Sequence, residues 1–227
     1  MENIIFLSIF VFIPLLMLLG LWAARTINQV RGVMVVGSTA LLIHSIYLTF
    51  RFMAERAAGN TAEMLFHDKM EWFPSLNICY EVGVDGISVV MLLLSAVIVF
   101  TGTFASWRLK PLTKEYFLWF TLLSMGVFGF FISIDIFTMF MFYEVALIPM
   151  YLLIGVWGTG RKEYSAMKLT LMLMGGSAFL MLGLLGIYWH SAPEGGQLTW
   201  NILEIAQNGS IDREWQMYLF PLTFVGF

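Results

Sequence analysis

Long apolar runs alternate with shorter polar links along the chain. The first run covers 3–24, with Pro14 near its middle, and a link holding Arg25 and Arg31 leads to a second over 33–53. At about 1.5 Å per residue, a helix of about 20 apolar residues crosses a hydrocarbon core of about 30 Å. A polar segment, 54–86, follows with Glu55, Arg56, Glu63, His67, Asp68, Lys69, Glu71 and Glu81. Within it Trp72 and Phe73 before Pro74 suit an interfacial position, and 76–82 fits a short strand. Asp85-Gly86 closes the segment, and Asp85 is placed to N-cap a third span over 87–107.

The next link, 108–114, holds three cations and Pro111. From 115 to 157 the chain is then apolar for about 43 residues, twice one span, so it must turn once. The polar notch Ser133-Ile134-Asp135 is the place for that turn. It leaves a fourth span over 115–133 and a fifth over 135–157. A link at 158–162 leads to a sixth span over 164–190. This span is rich in small residues (Gly175, Gly176, Ser177, Ala178, Gly183, Gly186) that let another helix approach closely. A second polar segment, 191–214, carries Pro193, Gly195-Gly196 and Asn208-Gly209. Trp215 to Phe227 opens a seventh apolar helix of about 13 residues, too short to span, so the expectation is of a fragment. The pattern predicts an all-α, polytopic transmembrane bundle of about six complete helices plus the start of a seventh. Its first part is 1–113, three helices with the loop 54–86, and its second is 114–227.

Composition agrees. The chain is 59% hydrophobic and 12% charged, with a mean hydropathy of +0.83, against about 25% charged in soluble domains. A net charge of −3 points to no nucleic-acid partner. The N-terminus carries Glu2 and a run longer than the core of a signal peptide, which reads as a first span. The lone Cys79 makes no internal disulfide, zinc cluster or iron–sulfur site, and no paired histidines present themselves for haem. No cofactor or metal is expected in this chain.

The cations fall unevenly between the two sets of alternate links. Arg25, Arg31, Arg108, Lys110, Lys114, Arg161, Lys162 and Lys168 fall on one set, and Arg51, Arg56, Lys69 and Arg213 on the other. By the positive-inside rule the first set faces the cytoplasm. The N-terminus and both long polar segments then face outward, and the fifth span runs from outside to inside.

Glu144 is the strongest candidate for chemistry. It lies nine residues beyond Asp135, about 13 Å along the helix and close to the bilayer midplane. A charge there costs about 2.5–3.5 kcal/mol on insertion scales. Five residues on, Pro149 has no N–H, so the carbonyl of Val145 loses its helical donor. The plain alternative is a carboxyl hydrogen-bonded across helices. The functional reading is a proton-binding site, because desolvation disfavours the charged form and a nearby cation favours it. Lys168, one turn into the sixth span, is the second candidate. It either snorkels to the interface or reaches inward to bias Glu144. Tyr151 shares the face of Glu144 at i+7 and reads as packing. His44 reads as an interhelical hydrogen-bond partner, and Asp135 as an N-cap near the outer surface. His67, His190, Cys79 and the methionines carry no evident role.

The stretch Phe142-Tyr143-Glu144-Val145-Ala146-Leu147-Ile148-Pro149-Met150-Tyr151, followed by Trp157-Gly158, resembles the fifth-helix signature of the antiporter-like proton-pumping subunits of respiratory complex I. Gly83-Val84-Asp85-Gly86-Ile87-Ser88, Ser133-Ile134-Asp135 and Ala166-Met167-Lys168 agree with it. Tyr143 departs from the Trp of many members. The resemblance implies the N-terminal part of a fold of about 14 helices with two inverted five-helix repeats. It implies proton translocation coupled to remote NADH:quinone electron transfer, with Glu144 as the essential glutamate and partner lysines beyond Phe227. It also implies neighbouring antiporter-like and other membrane subunits of complex I as partners, beside lipid and protons, in a bacterial inner membrane. Large subunits of multi-subunit cation/proton antiporters share the glutamate motif and are the alternative. Neighbouring genes separate the two.

Cysteines placed at Asn60 and Lys162 are expected to react with an impermeant thiol reagent from opposite sides of the membrane. Labelling from the same side contradicts the helix count.

Overall fold

The computed structural model describes residues 2–73, 76–192, 198–208 and 211–226. Pro74, Pro193, Gly195-Gly196 and Gly209, read above as loop residues, lie outside the described residues. In chain order the elements are α1 (Glu2–Ala23), α2 (Ile27–Ala57), β1 (Leu65–Phe73), β2 (Ile78–Val84), α3 (Gly86–Ala105), α4 (Thr113–Ile132), α5 (Ile136–Trp157), α6 (Lys162–Trp189), α7 (Ile202–Asn208) and α8 (Arg213–Gly226). Six of these helices, α1 to α6, are long and apolar enough to cross a membrane. The transmembrane helical bundle therefore stands, with a two-stranded hairpin added at one end.

The boundaries differ where a cap decides them. Helix α2 starts at Ile27, not at 33, because Thr26 accepts from the Gln29 N–H and the Gln29 side chain accepts from the Thr26 N–H. This reciprocal capping box satisfies two orphan donors and starts the helix six residues early. It puts Arg31 inside α2 rather than in a link, and the far end of α2 takes in Glu55 and Arg56 from the polar segment. Asp85 caps α3 as expected, accepting from Ser88 N at 2.7 Å. The strand expected over 76–82 is β2, and it pairs antiparallel with β1, which the charged sequence around Asp68-Lys69 concealed. The short α7 in the second polar segment was not foreseen either.

Helices α1, α2, α3 and α4 share the larger core, in which Phe10, Met34, Leu41, Leu92, Phe117 and Phe128 are fully buried. Phe10 of α1 stacks on Phe128 of α4 at 5.5 Å. His44 is the interhelical partner anticipated, its Nε2 lying 3.0 Å from the Phe6 carbonyl of α1. The small residues of α6 do admit a neighbour: Gly176 faces the Gly226 backbone, Gly183 faces Thr223 and Gly186 faces Leu219, all on α8. In lipid such close contact replaces the hydrophobic drive that water would supply.

The ends of the bundle are chemically distinct. At one end the hairpin meets 198–201: Asn77 Nδ2 donates to Leu198 O at 2.7 Å, and Tyr188 Oη and Trp200 Nε1 donate to Leu76 O. At the other, Lys114 Nζ donates to the carbonyls of Trp22 and Ala24 at the end of α1, and Arg31 donates to Trp107 O beyond α3. Cations at helix C-termini complement the unsatisfied carbonyls there. Both long polar segments thus share one end, as the alternation of links requires.

Helix α5 approaches α4 over two glycines. A methyl group on Gly129 would run into the Phe142 ring, and one on Gly126 would lie 2.9 Å from the Phe142 carbonyl. Gly129→Ala is expected to destabilise by about 1–3 kcal/mol through overpacking. Gly175→Ala, which points into open space, is expected to be neutral or mildly stabilising. Thermal unfolding midpoints in detergent check this, and equal midpoints would contradict the packing described.

Candidate functional site

Helix α5 begins where the chain turns back at 133–135, and three segments hold that turn. Ser133 bridges Val82 of β2, and Asp135 bridges Asn201. Ile134 N donates to Glu81 O at 3.0 Å, and Ile136 N donates to Trp200 O at 2.9 Å. Asp135 caps the helix as expected, Oδ1 accepting from Thr138 N at 2.9 Å, while its Oδ2 accepts from Cys79 N at 3.3 Å. It is 1% exposed. Burial raises its pKa above the ordinary aspartate value, and the backbone hydrogen bonds offset that only in part.

From this anchored start α5 runs unbroken to Trp157 with Pro149 inside it. Glu144 lies near its middle and is half-buried. Its Oε1 is fully buried and has no hydrogen-bond partner among the described residues. A buried carboxylate oxygen without a donor is costly, so it calls for a proton, a cation or water. Next to it along α5, an apolar cleft of about 300 Å³ between α4 and α5 is lined by Gly126, Phe142, Tyr143, Ala146 and Leu147, with Leu173 of α6. Most residues of α5 are partly buried, few are fully buried, and Ile148, Tyr151 and Val156 are exposed.

Lys168 is exposed on α6 beside Tyr164, Met167, Leu171 and Met172. No salt bridge joins it to Glu144 among the described residues. Tyr151 is 40% exposed on α5. The structure therefore does not bring the two sequence candidates together. It does bring together residues that the sequence left without a role. Glu81, 1% exposed, pairs with His67 of β1 and accepts from Asn201 Nδ2. Asn201 in turn caps α7, its Oδ1 accepting from Leu203 N at 2.8 Å and Glu204 N at 3.1 Å. Glu81 and Asn201 are 120 residues apart, and nothing local in either stretch announces the pair. Among the described residues no group of three or more histidine, cysteine or carboxylate side chains forms a metal centre.

Comparison with known proteins places this geometry in context. Residues 133–227 match the family described as NADH:quinone oxidoreductase/Mrp antiporter, transmembrane. The chain is 31% identical over 227 residues to NADH-quinone oxidoreductase subunit M of Rickettsia prowazekii, covering 97% of this chain and 44% of that one. It spans less than half the length of the curated relatives it matches. Its fold matches a chain of respiratory complex I from Thermus thermophilus with a TM-score of 0.75 at 19% identity, covering 98% of this chain and 43% of that chain. It also matches a chain of the Mrp complex from Dietzia sp. DQ12-45-1b with a TM-score of 0.73 at 17% identity, covering 100% of this chain and 23% of that chain.

Asp135→Ala is expected to lower stability by about 0.5–2 kcal/mol through loss of the cap. Asp135→Asn keeps an acceptor and removes the buried charge. With the folded pKa of Asp135 raised, the aspartate is most favourable at low pH, and that contribution is lost as pH rises through the raised value. The stability of Asp135→Asn relative to the native chain should therefore improve from about pH 4 to neutrality. Unfolding midpoints across that range check the sign. A relative stability that falls with pH contradicts it.

Proposed function

We propose a function from the premise that residues 133–227 carry the membrane domain of the NADH:quinone oxidoreductase/Mrp antiporter family: the chain is part of a proton-translocating membrane subunit of NADH:quinone oxidoreductase. Glu144 is the group that takes up and releases the proton. The observation that carries this reading is the buried Oε1 of Glu144, without a partner among the described residues, near the middle of a membrane helix.

The chemistry follows from the surroundings. In an apolar setting a neutral carboxyl is tolerated with hydrogen-bond partners alone, and an ionised one needs a cation or water. The Val145 carbonyl, left without a helical donor by Pro149, is available to accept from the protonated form. A cation brought towards Glu144 favours release of its proton, and one withdrawn favours uptake. The resemblance supplies such a cation as a lysine on the seventh span, beyond Phe227. Lys168, exposed on α6, is the weaker alternative. Electron transfer belongs to other subunits, and this chain contributes no redox chemistry. Its partners are the neighbouring membrane subunits of that complex. The hairpin end faces outward and the basic end faces the cytoplasm of a bacterial inner membrane, with the first antiporter-like repeat starting near residue 114.

A second reading, a large subunit of a multi-subunit cation/proton antiporter, is compatible with the fold match to the Mrp complex and with a family description that names both. It predicts cation-driven proton exchange in place of pumping driven by NADH.

In the full complex, Glu144→Gln and Glu144→Ala are expected to lower protons pumped per electron at least tenfold with assembly intact. Glu144→Asp, which keeps the ionisable group one methylene back, retains a good part. Pumping driven by NADH in membrane vesicles, beside a blot for assembly, reads this. Native pumping in the Gln variant removes Glu144 from the mechanism, and failed assembly of both Gln and Asp variants makes its role structural.

A further inference from the structure

Glu81 touches the start of α5 and the two elements beside it at once. Its backbone carbonyl accepts from Ile134, immediately before the cap Asp135. Its buried carboxylate holds His67 on β1 and Asn201 at the cap of α7. Asn201 lies in a bridge with Asp135, and Thr138 in the first turn of α5 donates to Cys79 O at 3.3 Å. The hairpin, α5 and α7 thus meet in one buried polar joint, whose other buried members are Asp135, Thr138, Thr199 and Asn201.

The position of this joint gives it leverage. Along its length α5 meets α4 through apolar packing, whereas at this end directed hydrogen bonds hold it. Glu144 lies on the same continuous helix, about 13 Å from Asp135. A shift or rotation of α5 at the joint is carried to Glu144, because a helix transmits motion as a rigid rod over so short a distance.

We propose that Glu81 is a positioning residue for Glu144: with His67 and Asn201 it clamps the start of α5 and sets the depth and rotation at which the Glu144 carboxyl sits. The proposal rests on the proton-translocating reading above. Removing the Glu81 carboxylate leaves Asn201 Nδ2 a buried donor without its acceptor, and the joint loosens. Replacement by Gln keeps an acceptor for Asn201 and restores most of the clamp.

The test uses the full complex in membrane vesicles, with Glu81→Ala, Glu81→Gln and His67→Ala. Two quantities are read beside assembly. One is protons pumped per electron. The other is the rate at which a hydrophobic carbodiimide modifies Glu144, followed by the mass of its peptide. The expected result for Glu81→Ala is a fall in the pumping ratio of threefold or more and a changed rate of Glu144 modification, with Glu81→Gln restoring both towards native values. If Glu81→Ala does not assemble, His67→Ala, at the exposed rim of the joint, is expected to shift both quantities in the same direction. Native values of both in every variant that assembles overturn the proposal. Native pumping in Glu144→Gln would instead remove the reading on which it rests, so the two failures are told apart.

Discussion

A carboxylate held in hydrocarbon must find a donor, a cation, water or a proton. Glu144 meets that requirement only in part within this chain: Oε1 is buried and has no partner among the described residues. The cleft between α4 and α5, lined by its sequence neighbours Phe142, Tyr143 and Ala146, is apolar, and Pro149 leaves a backbone acceptor within the same turns of α5. These features make sense together if the group alternates between charged and neutral forms and its neighbours come and go. They make poor sense as a stability device, since an apolar residue of similar size would fill the position without the penalty.

Around that centre the bundle is built with two unlike ends. Lys114 and Arg31 close helix C-termini at the basic end. At the other end, β2, the 133–135 turn and 199–202 are joined by backbone hydrogen bonds and by the Glu81, Asp135 and Asn201 side chains. The glycines of α4 and α6 bring α5 and α8 close without large side chains between them. Helix α5 therefore has a fixed start and close contact with α4.

Much of this was legible in the sequence because the signals are local. An apolar run of about 20 residues declares a span wherever it falls, and the Ser133-Ile134-Asp135 notch was the one polar break in 115–157. Asp85 and Asp135 each stand immediately before an apolar run, and both cap helices. The early start of α2 was also local, since Thr26-x-x-Gln29 is a capping-box pattern, but the cations nearby drew the boundary to 33. What escaped was long-range. Strand β1 carries His67, Asp68, Lys69 and Glu71, so no apolar alternation marks it, and it exists because β2 pairs with it. Glu81 looked like one more loop charge, and only the meeting of β2 with Asn201 buries it. Lys168 is a candidate partner for Glu144 by sequence position, yet it lies exposed on α6.

The central claim is that Glu144 changes protonation as the enzyme turns over. Infrared difference spectra of the complete complex, recorded between resting and turning-over states, measure this directly through the carbonyl stretch of a neutral carboxyl group. The account predicts a carboxyl band that changes with turnover, moves on carboxyl isotope labelling and is missing in Glu144→Gln. A native spectrum with no such band, or one that the Gln variant leaves unaltered, would contradict it.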